Sequence, residues 1–273
     1  MGNFPGHAIP GTFFIIVGVW WTFSAWWEYF RSKAQSRSYM ARCTYPLPGI
    51  FRAYSFEGII KILGSAYCLR GEIITGIHDG KFVPTENTQH LSMDLFYMFS
   101  GIVDVLTNSG FPLPPGTDYV ALFFAVAVEG LLFNFHLHGR PPLNVMVHTM
   151  LIYVTAAEAT CIMIELTKPH SVLAALGRAY FRTLQGTWLW QLAFVLFGRF
   201  PDYQAWDQND HDNMMLSASV FAWHMLGGLL NTGFFGLLAW GLCRTCKHKD
   251  QVDQQNYGHS DLASIMVPSG KKK

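Results

Sequence analysis

Long apolar stretches separated by short polar segments dominate the pattern of this chain. Seven of them lie near residues 11–30, 53–70, 90–108, 119–137, 143–166, 173–198 and 214–243. A helix needs about 20 mainly apolar residues to cross a bilayer, and these stretches approach or exceed that length. The pattern therefore predicts an all-α fold: a polytopic membrane bundle with about seven transmembrane helices.

The second stretch has the weakest pattern of the seven. Glu57 and Lys61 interrupt it at a spacing of four residues, so the two side chains can pair on one helix face. Such a segment is either a true span or a partly buried helix at the membrane interface. The sequence leaves both alternatives open.

The composition agrees with a membrane protein. Hydrophobic residues make up 51% of the 273 residues and charged residues only 14%, whereas soluble domains carry about 25% charged residues. The formal net charge is +1, which gives no broad basic surface for nucleic acid. The lipid bilayer is the expected partner, and nucleic acid is excluded.

Positive residues predict the orientation of the bundle. Most Lys and Arg residues follow the first, fifth or seventh stretch: Arg31, Lys33, Arg37, Arg42, Arg52, Lys168, Arg178, Arg182, Arg244, Lys247, Lys249, Lys271, Lys272 and Lys273. Because cytoplasmic loops are enriched in Lys and Arg, the N-terminus is predicted to be outside and the C-terminus inside. Residues 1–245 then form a seven-span domain, and residues 246–273 a polar, disordered cytoplasmic tail.

Histidines and carboxylates collect at the predicted exoplasmic side. Six of the 11 histidines lie there, in or beside the apolar stretches. Glu129 and His136 are two helical turns apart, and His90 and Asp94 are one turn apart, so each pair shares a helix face. The candidate site residues are His90, Asp94, Glu129, His136, His138, His148, His211 and His224.

These residue types suit two kinds of chemistry. Imidazole and carboxylate groups bind zinc and similar divalent metals, and they also relay protons in membrane proteins. No His-Glu-x-x-His motif is present, so the cofactor stays open, with zinc as one possibility, and no catalytic residue can be named. Each histidine could instead be a structural, hydrogen-bonded residue. The remaining histidines, His7 among them, are predicted to be solvated.

Several short motifs resemble one known family. They are Gly6-His7-Ala8-Ile9-Pro10-Gly11-Thr12-Phe13-Phe14, Phe56-Glu57-Gly58, His90-Leu91-Ser92-Met93, Val128-Glu129, His136-Leu137-His138-Gly139-Arg140, Val147-His148, Leu184-Gln185-Gly186-Thr187-Trp188, Asp210-His211 and Trp223-His224. Together they resemble the transmembrane protein 45 family, defined by domain of unknown function 716. The resemblance implies a multi-span helical protein of Golgi or endosome–lysosome membranes with no accepted catalytic activity. The chain departs from the family pattern at Asp94, where an uncharged residue is expected.

Three functions remain open from the sequence. The exoplasmic His/Asp/Glu site binds a metal ion or another cation or relays protons, which is the favoured hypothesis. Alternatively, a metal there activates water to hydrolyse a lipid-like substrate, so that the protein is an enzyme. In the third hypothesis the protein is non-catalytic and acts through partners in trafficking.

Overall fold

A computed structural model of the protein describes residues 3–47, 55–78, 81–82, 85–135, 137–198 and 203–265. Within these ranges the chain forms seven α-helices and one two-stranded antiparallel ribbon. The helices are α1 (Phe4–Ala34), α2 (Phe56–Gly76), α3 (Thr85–Asn108), α4 (Thr117–Phe135), α5 (Pro142–Thr167), α6 (Val172–Phe197) and α7 (His211–Ile265). The ribbon pairs β1 (Ile77–His78) with β2 (Lys81–Phe82). The predicted all-α helical bundle is confirmed.

Local capping residues mark the ends of two helices, α1 and α6. Asn3 caps α1 by accepting a hydrogen bond from the backbone N–H of Gly6, and Ser171 caps α6 through Ala174 in the same way. Gly198 ends α6 with a φ of 51°, a conformation that favours glycine. The apolar stretches themselves, and not these caps, explain why all seven helices could be predicted.

Helix α6 is the centre of the bundle. It packs against α1, α5 and α7, while α2 packs along α3, α3 along α4 and α4 along α5. The contact between α1 and α6 is close because Gly11 and Gly186 face each other across it. The core beside α6 is apolar and includes the fully buried Trp188.

The surface of the bundle is apolar, as lipid contact requires. Large side chains of α7, such as Leu230 and Leu237, are more than 60% exposed. Helices α1, α4 and α5 and the part of α7 over His211–Thr245 are long and apolar enough to cross a membrane. Helices α2, α3 and α6 are less apolar along their length and do not meet the same standard. Seven helices are thus present, whereas the number of spans, the N-out orientation and the division at residue 245 stay predictions.

Candidate functional site: a polar cavity inside the bundle

A cavity of about 610 Å³ lies between α1 and α2, with α3 to α6 around its other walls. We call it the outer cavity. It lies at the end of the bundle where α1, α3 and α5 begin and α2 and α4 end, because successive helices run in opposite directions. Its titratable or charged lining residues are His7, Lys61, Tyr67, Cys68, Arg70, Glu72, His90, Asp94, Tyr97, Glu129, His148 and Arg182. Aromatic and aliphatic side chains, among them Phe13 and Leu122, fill the rest of the wall.

Three histidine side chains in the wall of the outer cavity make close polar contacts. The Nε2 atoms of His7 and His148 are 3.5 Å apart, and Nδ1 of His148 lies 2.9 Å from the carbonyl oxygen of Asn144. Across the cavity, Nδ1 of His90 lies 3.0 Å from Oε1 of Glu72. Imidazoles paired with each other and with a carboxylate can pass protons, since histidine titrates near neutral pH.

A continuous hydrogen-bond network forms the floor of the cavity. The Tyr97 hydroxyl donates to Oε2 of Glu129 at 2.6 Å, and the Gln185 amide donates to Oε1 of Glu129 at 2.8 Å. Arg182 donates from Nη1 to the Tyr97 hydroxyl at 2.9 Å and from Nε to Oε1 of Glu158, also at 2.9 Å. Glu129 therefore connects the cavity to an ion pair between α5 and α6.

Two more ion pairs lie deeper in the bundle. Lys61 donates from Nζ to Oδ2 of Asp104 at 2.6 Å, and Arg178 donates from Nε to Oε1 of Glu165 at 2.7 Å. The expected pairing of Lys61 with Glu57 is therefore wrong. Lys61 pairs with α3 because α2 and α3 pack face to face, which brings Asp104 to its ammonium group.

Negative groups outnumber positive groups in the described interior. The buried carboxylates are Glu57, Asp104, Glu129, Glu158 and Glu165, and the opposing cations are Arg178, Arg182 and Lys61, whose side chain is 10% exposed. Among the buried polar atoms of this region, Asp104 Oδ1, Glu158 Oε2 and Gln185 Oε1 receive no hydrogen bond. Unbalanced charge and unpaired acceptors are costly in a low-dielectric interior. Such an interior favours the binding of protons or a cation.

The structure brings together half of the candidate site residues. His90, Asp94, Glu129 and His148 all line the outer cavity. His138 is exposed, with Nδ1 3.3 Å from the carbonyl oxygen of Phe135. His211 is exposed at the start of α7, and His224 packs edge-on against Trp188 at 5.5 Å. His136 lies outside the described residues.

Two kinds of site residue escaped the sequence analysis. His7 was expected to be solvated, but its side chain lines the outer cavity. Arg178 and Arg182 were counted on the cytoplasmic side, but both are buried inside the bundle. They therefore do not contribute to the excess of Lys and Arg in the cytoplasmic loops. The sequence did contain a sign that the arginines are buried. Glu158 and Glu165 lie two helical turns apart on the preceding apolar stretch, so they offer negative partners for two buried cations.

The described residues do not assemble a complete metal site. Among them, no three His, Cys, Asp or Glu side chains converge within reach of one ion. Most of the titratable groups are instead engaged pairwise, as in the His90–Glu72 and Tyr97–Glu129 contacts. This arrangement is typical of a proton network more than of a preformed metal centre.

The inward-facing charges and the apolar exterior define a multi-pass helical membrane protein. Residues 115–235 match the sequence model of a family described as "Family of unknown function (DUF716)". This part of the chain is thus similar to the DUF716 family, in agreement with the motif resemblance.

The chain is also similar to three curated membrane proteins. Transmembrane epididymal protein 1 of Rattus norvegicus is 23% identical over 269 residues, which cover 89% of this chain and 83% of the relative. Transmembrane epididymal protein 1A of Mus musculus is 22% identical over 260 residues, with the same two shares. Transmembrane epididymal protein 1 of Homo sapiens is 24% identical over 197 residues, or 67% of this chain and 70% of the relative.

Proposed function

We propose that the protein binds and relays protons through the outer cavity, with Glu129 as the central acceptor. The observation that carries this proposal is the excess of buried carboxylates over cations in the described interior, with Glu129 in the wall of the outer cavity. Binding of a proton removes a buried charge without requiring the several converging ligands of a metal ion. His90, Asp94 and His148 line the same cavity as Glu129 and are the further groups that could carry the proton.

The proposed orientation gives the relay a proton source. In the N-out arrangement of seven spans, the outer cavity faces the exoplasmic side, which is the lumen in internal membranes. The Golgi or endosome–lysosome location implied by the family resemblance would place it in an acidic compartment. Such a compartment would supply protons to the outer cavity.

Infrared difference spectroscopy of the protein in lipid nanodiscs tests this function. We expect acidification to produce the C=O stretching band of a protonated, buried carboxyl group, and Glu129→Gln to reduce that band. Asp212→Asn is the matched control, because Asp212 is exposed at the start of α7. A difference spectrum that is the same in Glu129→Gln and in the unaltered protein would overturn the proposal.

A metal ion is the second candidate ligand, and one distance favours it. Two imidazole nitrogens on a tetrahedral zinc ion stand roughly 3.3 Å apart, from bond lengths of about 2.0–2.1 Å. The Nε2 atoms of His7 and His148 are 3.5 Å apart, so these two side chains suit one ion. Elemental analysis of the purified protein decides the matter. Stoichiometric zinc that is lost in His148→Ala would favour the metal.

A further inference from the structure

A second cavity, of about 710 Å³, lies at the opposite end of the bundle. We call it the inner cavity. Its wall consists of residues 40–46 after α1, the beginnings of α2 and α4, and the ends of α3 and α5. Cys43, Glu57 and Glu165 contribute polar atoms to this wall. The two cavities therefore lie at opposite ends of the bundle.

A thin partition separates the two cavities. Trp21 lines the outer cavity, and Glu57 lines the inner cavity. The indole N–H of Trp21 donates to Oε2 of Glu57 at 2.8 Å, so the two walls meet in one hydrogen bond. The Arg178 guanidinium lies over the Trp21 ring, 4.0 Å from its centroid, and holds the indole from the other side. Trp21 is only 1% exposed.

The same groups hold the segment beside the inner cavity. Alternate side chains of residues 39–45 point inward: Tyr39, Ala41, Cys43 and Tyr45 are buried. Arg178 donates to the carbonyl oxygens of Cys43 and Arg42 at 3.0 and 2.9 Å. Glu57 accepts the backbone N–H of Tyr45 at 2.8 Å. We call residues 39–45 the inner segment. Glu57 and Arg178 thus each contact both Trp21 and the inner segment.

We infer that the two cavities are the halves of one translocation path for a proton or a small cation, closed in this conformation at the Trp21–Glu57 contact. The nature of the ligand rests on the proposed function, while the path rests on the geometry of the partition. Glu57 contacts both Trp21 and the inner segment. A change at this carboxylate therefore loosens the partition and the wall of the inner cavity together. Neutralising Glu57 weakens its charge-assisted hydrogen bonds, which are about twice as strong as neutral ones. Opening of the partition would let the proton or cation pass from one cavity to the other and so across the bundle.

Two native cysteines report the two halves of the path. Cys68 lines the outer cavity and Cys43 the inner cavity. Each is retained alone, the other cysteines being replaced by alanine, and is labelled with a membrane-impermeant cationic methanethiosulfonate. The reagent is applied to intact cells or to inverted membrane vesicles, at alkaline pH. We expect Cys68 and Cys43 to be labelled from opposite sides of the membrane.

Removal of the partition should connect the two sides. In Trp21→Ala, we expect labelling of Cys43 from the Cys68 side to rise by at least about tenfold, since a hydrogen bond to a charged group and the indole barrier are both lost. Glu57→Gln, which keeps the side-chain volume, should give a smaller rise. Trp20→Ala is the matched control. Trp20 also donates to Glu57, at 2.7 Å, but does not line the outer cavity. Labelling of Cys43 from the Cys68 side should therefore not rise in this variant.

The results separate this inference from the proposed function. Labelling of Cys43 and Cys68 from the same side in the unaltered protein would overturn the path. So would unchanged labelling of Cys43 from the Cys68 side in both Trp21→Ala and Glu57→Gln, with normal labelling of Cys68. At one fixed pH the labelling pattern does not depend on whether Glu129 binds a proton. A failed infrared test together with the predicted labelling pattern would therefore reject the proton relay and support the path.

Discussion

Arg182 on α6 and Glu158 on α5 form an ion pair that is closed off from the surface, with Nε donating to Oε1 at 2.9 Å. Arg182→Met should destabilise the protein by about 3–5 kcal/mol, because it leaves a buried carboxylate without its counter-charge. Unfolding by sodium dodecyl sulfate in mild detergent measures the effect. The double variant Arg182→Met/Glu158→Leu should recover most of the loss. Equal stability of Arg182→Met and the unaltered protein would contradict a buried ion pair here.

The contact of α1 with α6 depends on glycine. A Cβ atom on Gly186 would lie 2.7 Å from the carbonyl oxygen of Gly11 and from the backbone nitrogen of Ile15, which real side chains do not tolerate. Overpacking in Gly186→Val should therefore lower the free energy of unfolding by about 1–3 kcal/mol. The effect is measured as a lower melting temperature, from the loss of the folded peak in size-exclusion chromatography after heating. Gly227→Val is the control, because open space surrounds Gly227. A similar melting temperature for both variants would count against this packing.

Asp94 should matter for ligand attraction and not for folding. Its side chain lines the outer cavity and is only partly buried, so Asp94→Asn should change stability by less than about 0.5 kcal/mol. Removing this negative charge from the outer cavity should slow the labelling of Cys68 by a cationic thiol reagent relative to a neutral one. An unchanged ratio of the two labelling rates would show that Asp94 does not influence cations in the cavity.

Cys43 should react slowly at neutral pH. Burial raises the pKa of the Cys43 thiol well above its usual range, since the charged thiolate is poorly solvated there. Only the thiolate reacts, so the rate should remain low at neutral pH and rise as the pH increases through the raised pKa. A maleimide labelling profile from neutral to alkaline pH measures this. A midpoint at about 8.5, as for a free cysteine, would contradict the burial of Cys43.

The candidate site was predictable in part. His90, Asp94, Glu129 and His148 could be assigned to one end of the bundle, because each lies near the same end of its predicted helix. The convergence of His90 with Glu72, and of His148 with His7, could not be predicted. Those pairs join different helices, and periodicity within one helix does not tell which neighbour it faces.

The sequence by itself determined the seven helices and their apolar exterior, because long hydrophobic stretches must form helices when their backbone is removed from water. Only the tertiary structure decided how the charges pair. Lys61 meets Asp104 and not Glu57, and Arg182 meets Glu158, since the rotation of each helix and its choice of neighbour result from packing over the whole bundle. The partition between Trp21 and Glu57 has the same origin, because it joins two helices that are separated in the chain by the inner segment.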